Sequence, residues 1–353
     1  MLIFRDRSYA SFACQDTSLA LSRQRLIKKS FLVLGIFIVW FFQLSILPSS
    51  SVQAAIVSEN NDLSKENAQK LGRYCDTLNS RFKSFGWSRI VCNPKTWTMD
   101  ENYVTPKGNP LIFQTFKGEN PKTRTIVFCG VHGDEHPSIY QCIHLVREII
   151  FDNPSAFNES LVVVAPLVNP DGFLAGTPTR PNAKGVDLNR NFPTKDFNEE
   201  AIKEWKGKYK SDKRKYPGTE GGSEIETKFQ MMLIEKFKPD KIVSIHSPLG
   251  FLDVDSPTRT RTISGDESDG YEFAEFVKKA HDVALVMSKN SNNFRLMKFH
   301  VYPGSLGNYA AKERGIPTYT LELENSDPHK GQQFWNRIRK GIISAIQYQI
   351  NVR

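Results

Sequence analysis

Short apolar runs at 111–116, 125–129, 161–165, 241–245 and 318–323 constrain this chain more than any other feature. Each is too short for a self-burying helix and is rich in β-branched and aromatic residues, which reads as strands in a buried sheet. Between them lie stretches of helical spacing near 137–151, 223–237, 270–288 and 329–350. Strand and helix in turn predict an α/β domain, a mixed, mostly buried central sheet flanked by helices. The sharpest helix signal is 223–237: Ser223 stands as N-cap, Glu226 completes a capping box, and Ile225, Phe229, Leu233 and Phe237 form an inner stripe. Ahead of the domain, 61–86 has helical spacing through Leu71, Tyr74, Leu78 and Phe82. The expected divisions are a leader at 1–54, a helical extension at 55–104 and a main domain at 105–350.

In the leader, Arg23, Arg25, Lys28 and Lys29 precede the apolar run 31–47, and small residues including Val52 and Ala54 follow. The run is longer than a usual signal core and near the lower limit for a spanning helix, so a cleaved signal peptide and a retained anchor both fit. Either sends the chain from residue 55 out of the cytoplasm, with the periplasm as the expected location and the leader as the sole membrane contact. There Cys75, Cys92, Cys129 and Cys142 meet an oxidising space. Four cysteines allow three connectivities; Cys75 with Cys92 is favoured as a tie for the terminal segment, while Cys129 and Cys142 fit buried free thiols equally well. The net charge of +9 gathers in the leader flank and in 203–218, a run with no nucleic-acid module. Nucleic acid is not an expected partner. The basic run reads as a solvated loop, or as a segment drawn to an acidic polymer or an anionic membrane face.

Four polar motifs fall at strand ends, where open α/β sheets place their sites: "HGDE" (132–135), "NPDGF" through "GVDLNRNFP" (169–193), "SIHSPLG" (244–250) and "TLELEN" (320–325). The segments 169–222 and 247–269 read as long loops, which in compact domains are usually functional. His132, Glu135 and His246 together offer two imidazoles and a carboxylate, a ligand set suited to catalytic zinc. The HxxE pair alone also reads as a solvated turn.

Taken in order, the four motifs resemble the zinc carboxypeptidase family over roughly 105–345. The resemblance implies one zinc per chain, held by His132, Glu135 and His246, and peptide hydrolysis by zinc-activated water with Glu322 as general base. It further implies that Asn189 and Arg190 bind the substrate's terminal carboxylate and that Arg180 stabilises the oxyanion. Tyr309, one position off the straightforward alignment, is a candidate substrate contact, with Tyr302 as the other. Glu324, two residues past Glu322, is expected on the same strand face. Motif details are similar to a bacterial branch that cuts the γ-D-glutamyl-meso-diaminopimelate bond of peptidoglycan stem peptides. Muropeptides are therefore the expected partner, with Asp253 and Asp255 meeting the diaminopimelate amine. A general metallocarboxypeptidase, an N-acyl amino acid deacylase and a non-catalytic wall-binding module stay open. His136, His144, His281, His300 and His329 match no motif.

Overall fold

A computed structural model describes residues 50–87, 90–256 and 268–350. Its strands are β1 (Thr98–Val104), β2 (Pro110–Lys117), β3 (Thr123–Cys129), β4 (Ser160–Ala165), β5 (Lys241–His246), β6 (Phe251–Asp255), β7 (Leu296–Met297) and β8 (Thr318–Glu322). They form one mixed sheet in the order β1-β2-β4-β3-β5-β8-β6-β7. The four middle strands β4, β3, β5 and β8 run parallel, while β2 and β6 join them antiparallel. β2, β3, β4, β5 and β8 are the runs expected from the sequence. β1 escaped because "TMDENYV" is half exposed and carries acidic residues. β6 escaped because "FLDVD" sets an aspartate at every second position, and the segment read as loop.

The helices are α1 (Ser50–Ser84), α2 (His136–Arg147), α3 (Pro170–Phe173), α4 (Ile202–Gly207), α5 (Ile225–Phe237), α6 (Ser268–Asn290) and α7 (Gly331–Gln347). Alternation along the strands divides the interior in two. Val127, Val162, Val164, Val243 and Ile245 face a core shared with α1, α2, α6 and α7. Ile126, Phe128, Val163 and Ile242 face a second core closed by α5.

The expected extension does not stand apart. The chain from Gln53 to Arg353 is one compact unit, and Leu71, Tyr74, Leu78 and Phe82 are all buried in its first core. A disulfide joins Cys75 of α1 to Cys92, and Asn79 receives a hydrogen bond from the Cys92 N–H (2.7 Å) and returns one to its carbonyl (3.0 Å). Cys129 and Cys142 are also bonded, tying the end of β3 to α2; the free-thiol alternative gives way to a second link. The apolar leader at 31–47 lies outside the described residues. Among the described residues, no helix is long and apolar enough to cross a membrane.

The capping box expected at Ser223 is replaced by another network. Glu224 occupies the N-cap of α5 without a side-chain cap bond. Ser223 Oγ accepts from Asn191 Nδ2 (3.0 Å) and donates to the Glu224 carboxylate (2.9 Å). Glu226 turns inward, where Asn182 Nδ2 donates to it at 3.2 Å and to Glu224 at 2.8 Å. Burial pushes the Glu226 carboxyl from an ordinary 4.5 up to about 7. The folded chain thus keeps a proton that the unfolded chain releases, so this group's stabilising contribution is complete below about 4.5 and is lost as pH rises through about 7. Glu226→Gln has no proton to lose. It is expected to raise the thermal midpoint at pH 8 by several degrees, equivalent to roughly 2–3 kcal/mol, with the gain shrinking to nothing near pH 4.5. Melting curves across that range check this; a shift independent of pH would contradict it.

Candidate functional site

The carboxyl ends of β3, β5 and β8 lie side by side, because β5 pairs with both of the others. In this register His246 sits opposite Glu322. Beyond β3 the chain turns through Gly130 and Val131 to His132, and Glu135 stands at the N-cap of α2, with Pro137 in its first turn. Ser138 Oγ locks this corner, accepting from the Gly130 N–H (3.1 Å) and donating to the Glu135 carbonyl (2.7 Å). Gly133 presses against the backbone of Gly172, where any Cβ would overlap. "HGDE" and "NPDGF" are therefore packed one upon the other.

His132, Glu135 and His246 meet as the sequence predicts. Their ligand atoms lie within 4.8 Å of one another, and all three residues are buried. The two Nδ1 atoms are 3.2 Å apart; Glu135 reaches His132 Nδ1 with one oxygen (2.7 Å) and His246 Nδ1 with the other (2.9 Å). Each Nε2 faces outward to a fixed partner, Asp187 for His132 (2.9 Å) and Ser244 for His246 (2.9 Å). With the outward nitrogens protonated, both inward nitrogens present lone pairs, as metal-bound imidazole requires. Two nitrogen donors and a carboxylate around one point suit zinc by ligand type and number.

Asp187 is the residue that sequence reasoning missed. Within "GVDLNRNFP" it resembles a turn former, and it does accept the Asn189 N–H at 3.0 Å. It is also fully buried, and its second oxygen accepts from Arg180 Nε at 3.0 Å. Burial opposes its charge, but Arg180 and His132 outweigh it and hold its carboxyl well below the ordinary range. Glu135 is held low in the same way, His132 and His246 outweighing burial. Burial also works against charge on both rings. It prevails at His246, whose pKa falls, and is reversed at His132 by Glu135 and Asp187.

Arg180 bridges the two buried carboxylates, its Nη1 donating to Glu135 at 3.2 Å. The backbone of Arg180 is held by Asn169, whose Nδ2 donates to its carbonyl (3.1 Å). Glu322 lies in the same cavity with Oε2 buried and unpartnered. Burial, with the Glu135 charge beside it, pushes Glu322 up to about 8.

The cavity has a volume near 370 Å³ and includes Asn189, Arg190, Asp253 and Asp255 in its lining. Asn189 Oδ1 accepts from the Leu306 N–H (2.9 Å), so its NH₂ is the group it can offer a ligand. Arg190 lies over the Tyr302 ring, 4.0 Å from its centroid. Asp253 and Asp255 share a sheet face with Glu322, since β6 runs against β8 with Asp253 opposite Thr320 and Asp255 opposite Thr318. Asp253 accepts two backbone N–H groups, those of Val254 and Phe299, each at 2.9 Å. Burial and the neighbouring Asp253 charge push Asp255 up to about 7. Gly307 faces the Asp255 carboxylate, which occupies the space a Cβ would need.

Two expected placements fail. Tyr309 is not in the cavity: within the π-helical turn Gly307–Lys312 its ring is buried in the second core, 5.1 Å from the Phe192 ring. Tyr302 lines the cavity in its place. Glu324 does not share the face of Glu322, because β8 ends there and Glu324 turns to pair with Arg337 of α7.

In the basic run 203–218 most of the cations are exposed, as a solvated segment requires, but the run is also tied to the site. Trp205 Nε1 donates to the Asp212 carbonyl (2.7 Å), Trp205 packs on Tyr216 (4.9 Å), and Arg214 reaches Asp134 in the "HGDE" turn (2.8 Å). Tyr209 and Lys215 of this segment form part of the cavity wall.

The profile of the zinc carboxypeptidase family matches residues 96–340. Curated relatives include murein peptide amidase A of Escherichia coli K12, 31% identical over 206 residues spanning 58% of this chain and 72% of the relative. The Vibrio campbellii protein of that name is 29% identical over 218 residues, 61% of this chain and 75% of its own. Among solved structures, carboxypeptidase A from Helicoverpa armigera aligns with a TM-score of 0.55 at 16% identity, covering 77% of this chain and 71% of that one. At that identity the likeness bears on the fold.

If Asp187 orients His132, Asp187→Ala is expected to weaken zinc binding about 10- to 100-fold, as read by chelator competition. An unchanged affinity would remove Asp187 from the metal centre.

Proposed function

Because the chain belongs to the zinc carboxypeptidase family, we propose that it hydrolyses peptidoglycan stem peptides at the γ-D-glutamyl-meso-diaminopimelate bond, outside the cytoplasm. One observation carries this reading: the cavity beside the metal triad is lined both by Asn189 and Arg190 and by Asp253 and Asp255. A terminal residue with a main-chain carboxylate and a distant side-chain amine matches both. The relatives named murein peptide amidase A support it. The leader and the two disulfides support an oxidising, extracytoplasmic location.

Zinc held by His132, Glu135 and His246 supplies a Lewis acid that makes water a nucleophile at neutral pH and polarises a carbonyl. The protein's own groups do the rest. Arg190 holds the terminal carboxylate through its planar guanidinium, with the Asn189 amide as a further donor, which fixes where the scissile bond lies. Arg180, on the cavity wall, donates toward the oxygen that becomes negative as the carbonyl is attacked. Glu322 accepts a proton from the attacking water and returns it to the departing α-amine, leaving a free γ-carboxylate and free diaminopimelate. Its desolvated carboxyl, pushed up near neutrality, suits a group that must both take and give a proton.

Mass spectrometry of muropeptides treated with the zinc-loaded protein tests the reading. Loss of diaminopimelate from the stem tripeptide is the expected product. Cleavage confined to ordinary L-peptides would assign a general carboxypeptidase instead. Glu322→Gln is expected to lower kcat at least about 100-fold while zinc content stays at wild-type level. Wild-type turnover in that variant would refute the role given to Glu322.

A further inference from the structure

Besides Arg190, and Arg180 which Asp187 and Glu135 hold, the 203–218 segment carries a third cation into the cavity, and its position is fixed by the site itself. Asp212 accepts the Arg214 N–H (2.9 Å) and so starts the short turn Lys213–Lys215. On one side of Lys215, Arg214 is paired with Asp134 of the "HGDE" turn (2.8 Å). On the other, the Tyr216 carbonyl accepts the N–H of Asp187 (2.8 Å). Lys215 is thus held between two anchors on the loops that carry the metal ligand His132 and its partner Asp187.

Its ammonium lies 4.2 Å from the centroid of the Tyr209 ring. Arg190 lies 5.9 Å from that centroid and 4.0 Å from that of Tyr302, and the two rings are 5.8 Å apart. Lys208, which also reaches these rings, is neutralised by Glu204 at 2.8 Å. Among the described residues no ion pair is found for Arg190 or Lys215, and Arg190 Nε is buried without an acceptor. Aromatic faces offset part of the cost of holding two like charges on one wall, and an anionic ligand offsets more. A single terminal carboxylate engages Arg190 and Asn189 and leaves Lys215 unmatched. Asp253 and Asp255 line the same cavity and offer carboxyl oxygens to an amine. Two positive groups and a carboxylate pair fit a residue with two carboxylates and an amine.

Resting on the function proposed above, we infer that Lys215 binds a second carboxylate, on the side chain of the residue whose main-chain carboxylate Asn189 and Arg190 hold. Lysine, which is diaminopimelate lacking one carboxylate, is the discriminating comparison. Calorimetric titration of the protein with free meso-diaminopimelate and with free lysine reads the subsite independently of turnover. Wild type is expected to bind diaminopimelate about tenfold more tightly, Lys215→Gln to lose most of that ratio, and Lys215→Arg to keep it. A ratio that survives Lys215→Gln, or a wild type that shows no preference, overturns the inference. In parallel, γ-D-glutamyl peptides ending in diaminopimelate or lysine are offered to the zinc-loaded protein. If neither is cut while Lys215→Gln still abolishes the binding preference, the amidase reading fails and the subsite stands. Cleavage with an unchanged binding ratio in Lys215→Gln leaves the amidase and removes the subsite.

Discussion

Two imidazole nitrogens 3.2 Å apart, each also facing an oxygen of one buried carboxylate, form a knot of electron-pair donors. Such a group is stable in a dry interior only when positive charge sits among its members. Much of the local structure serves this convergence. The parallel pairing of β3 with β5 brings His246 beside the turn that carries His132. Asp187 and Ser244 hold the far nitrogens, which turns the near ones inward. Arg180 donates to Asp187 and Glu135 from the cavity side and so offsets part of their charge.

The long segment between β4 and α5 owes its order to side chains more than to regular structure. Asn169, Asn182 and Asn191 each both donate and accept, and together they bind the chain between β4 and α5 into a single wall. Asp171 does the same for the β1–β2 turn, accepting from Thr105, Lys107 and Asn109. These bonds explain how a stretch with so little helix or strand positions Arg180, Asn189, Arg190 and Lys215 around one cavity. They also give that cavity its polarity, with cations from this wall and the carboxylates of β6 in the same lining.

Much of this was legible in the sequence, for particular reasons. His132, Glu135, His246 and Glu322 stand at or just past apolar runs, so strand ends located them before any contact was known. The stripe of Leu71, Tyr74, Leu78 and Phe82 foretold a buried helix face, though not that the face belongs to the main core. What stayed hidden depended on contacts distant in sequence. Ser223 had the composition of a cap, but Asn191, more than thirty residues earlier, claims it. Of the two candidate tyrosines, Tyr302 lines the cavity, while the π-helical turn Gly307–Lys312 carries the Tyr309 ring into the core. The basic run does keep most of its cations in solvent, but nothing local shows that Arg214 reaches Asp134 or that Lys215 lines the cavity. Asp187 hid behind its turn-forming role, and β6 behind aspartates that a cavity, not solvent, accounts for.

His132, His246 and Glu135 jointly hold one zinc, and X-ray absorption at the zinc edge of the loaded protein is the test. The expected spectrum has one zinc per chain with two imidazole ligands near 2.0–2.1 Å, oxygen in the remaining positions and no sulfur. A spectrum without the two-imidazole signature, or one left unchanged by His246→Ala, would contradict it.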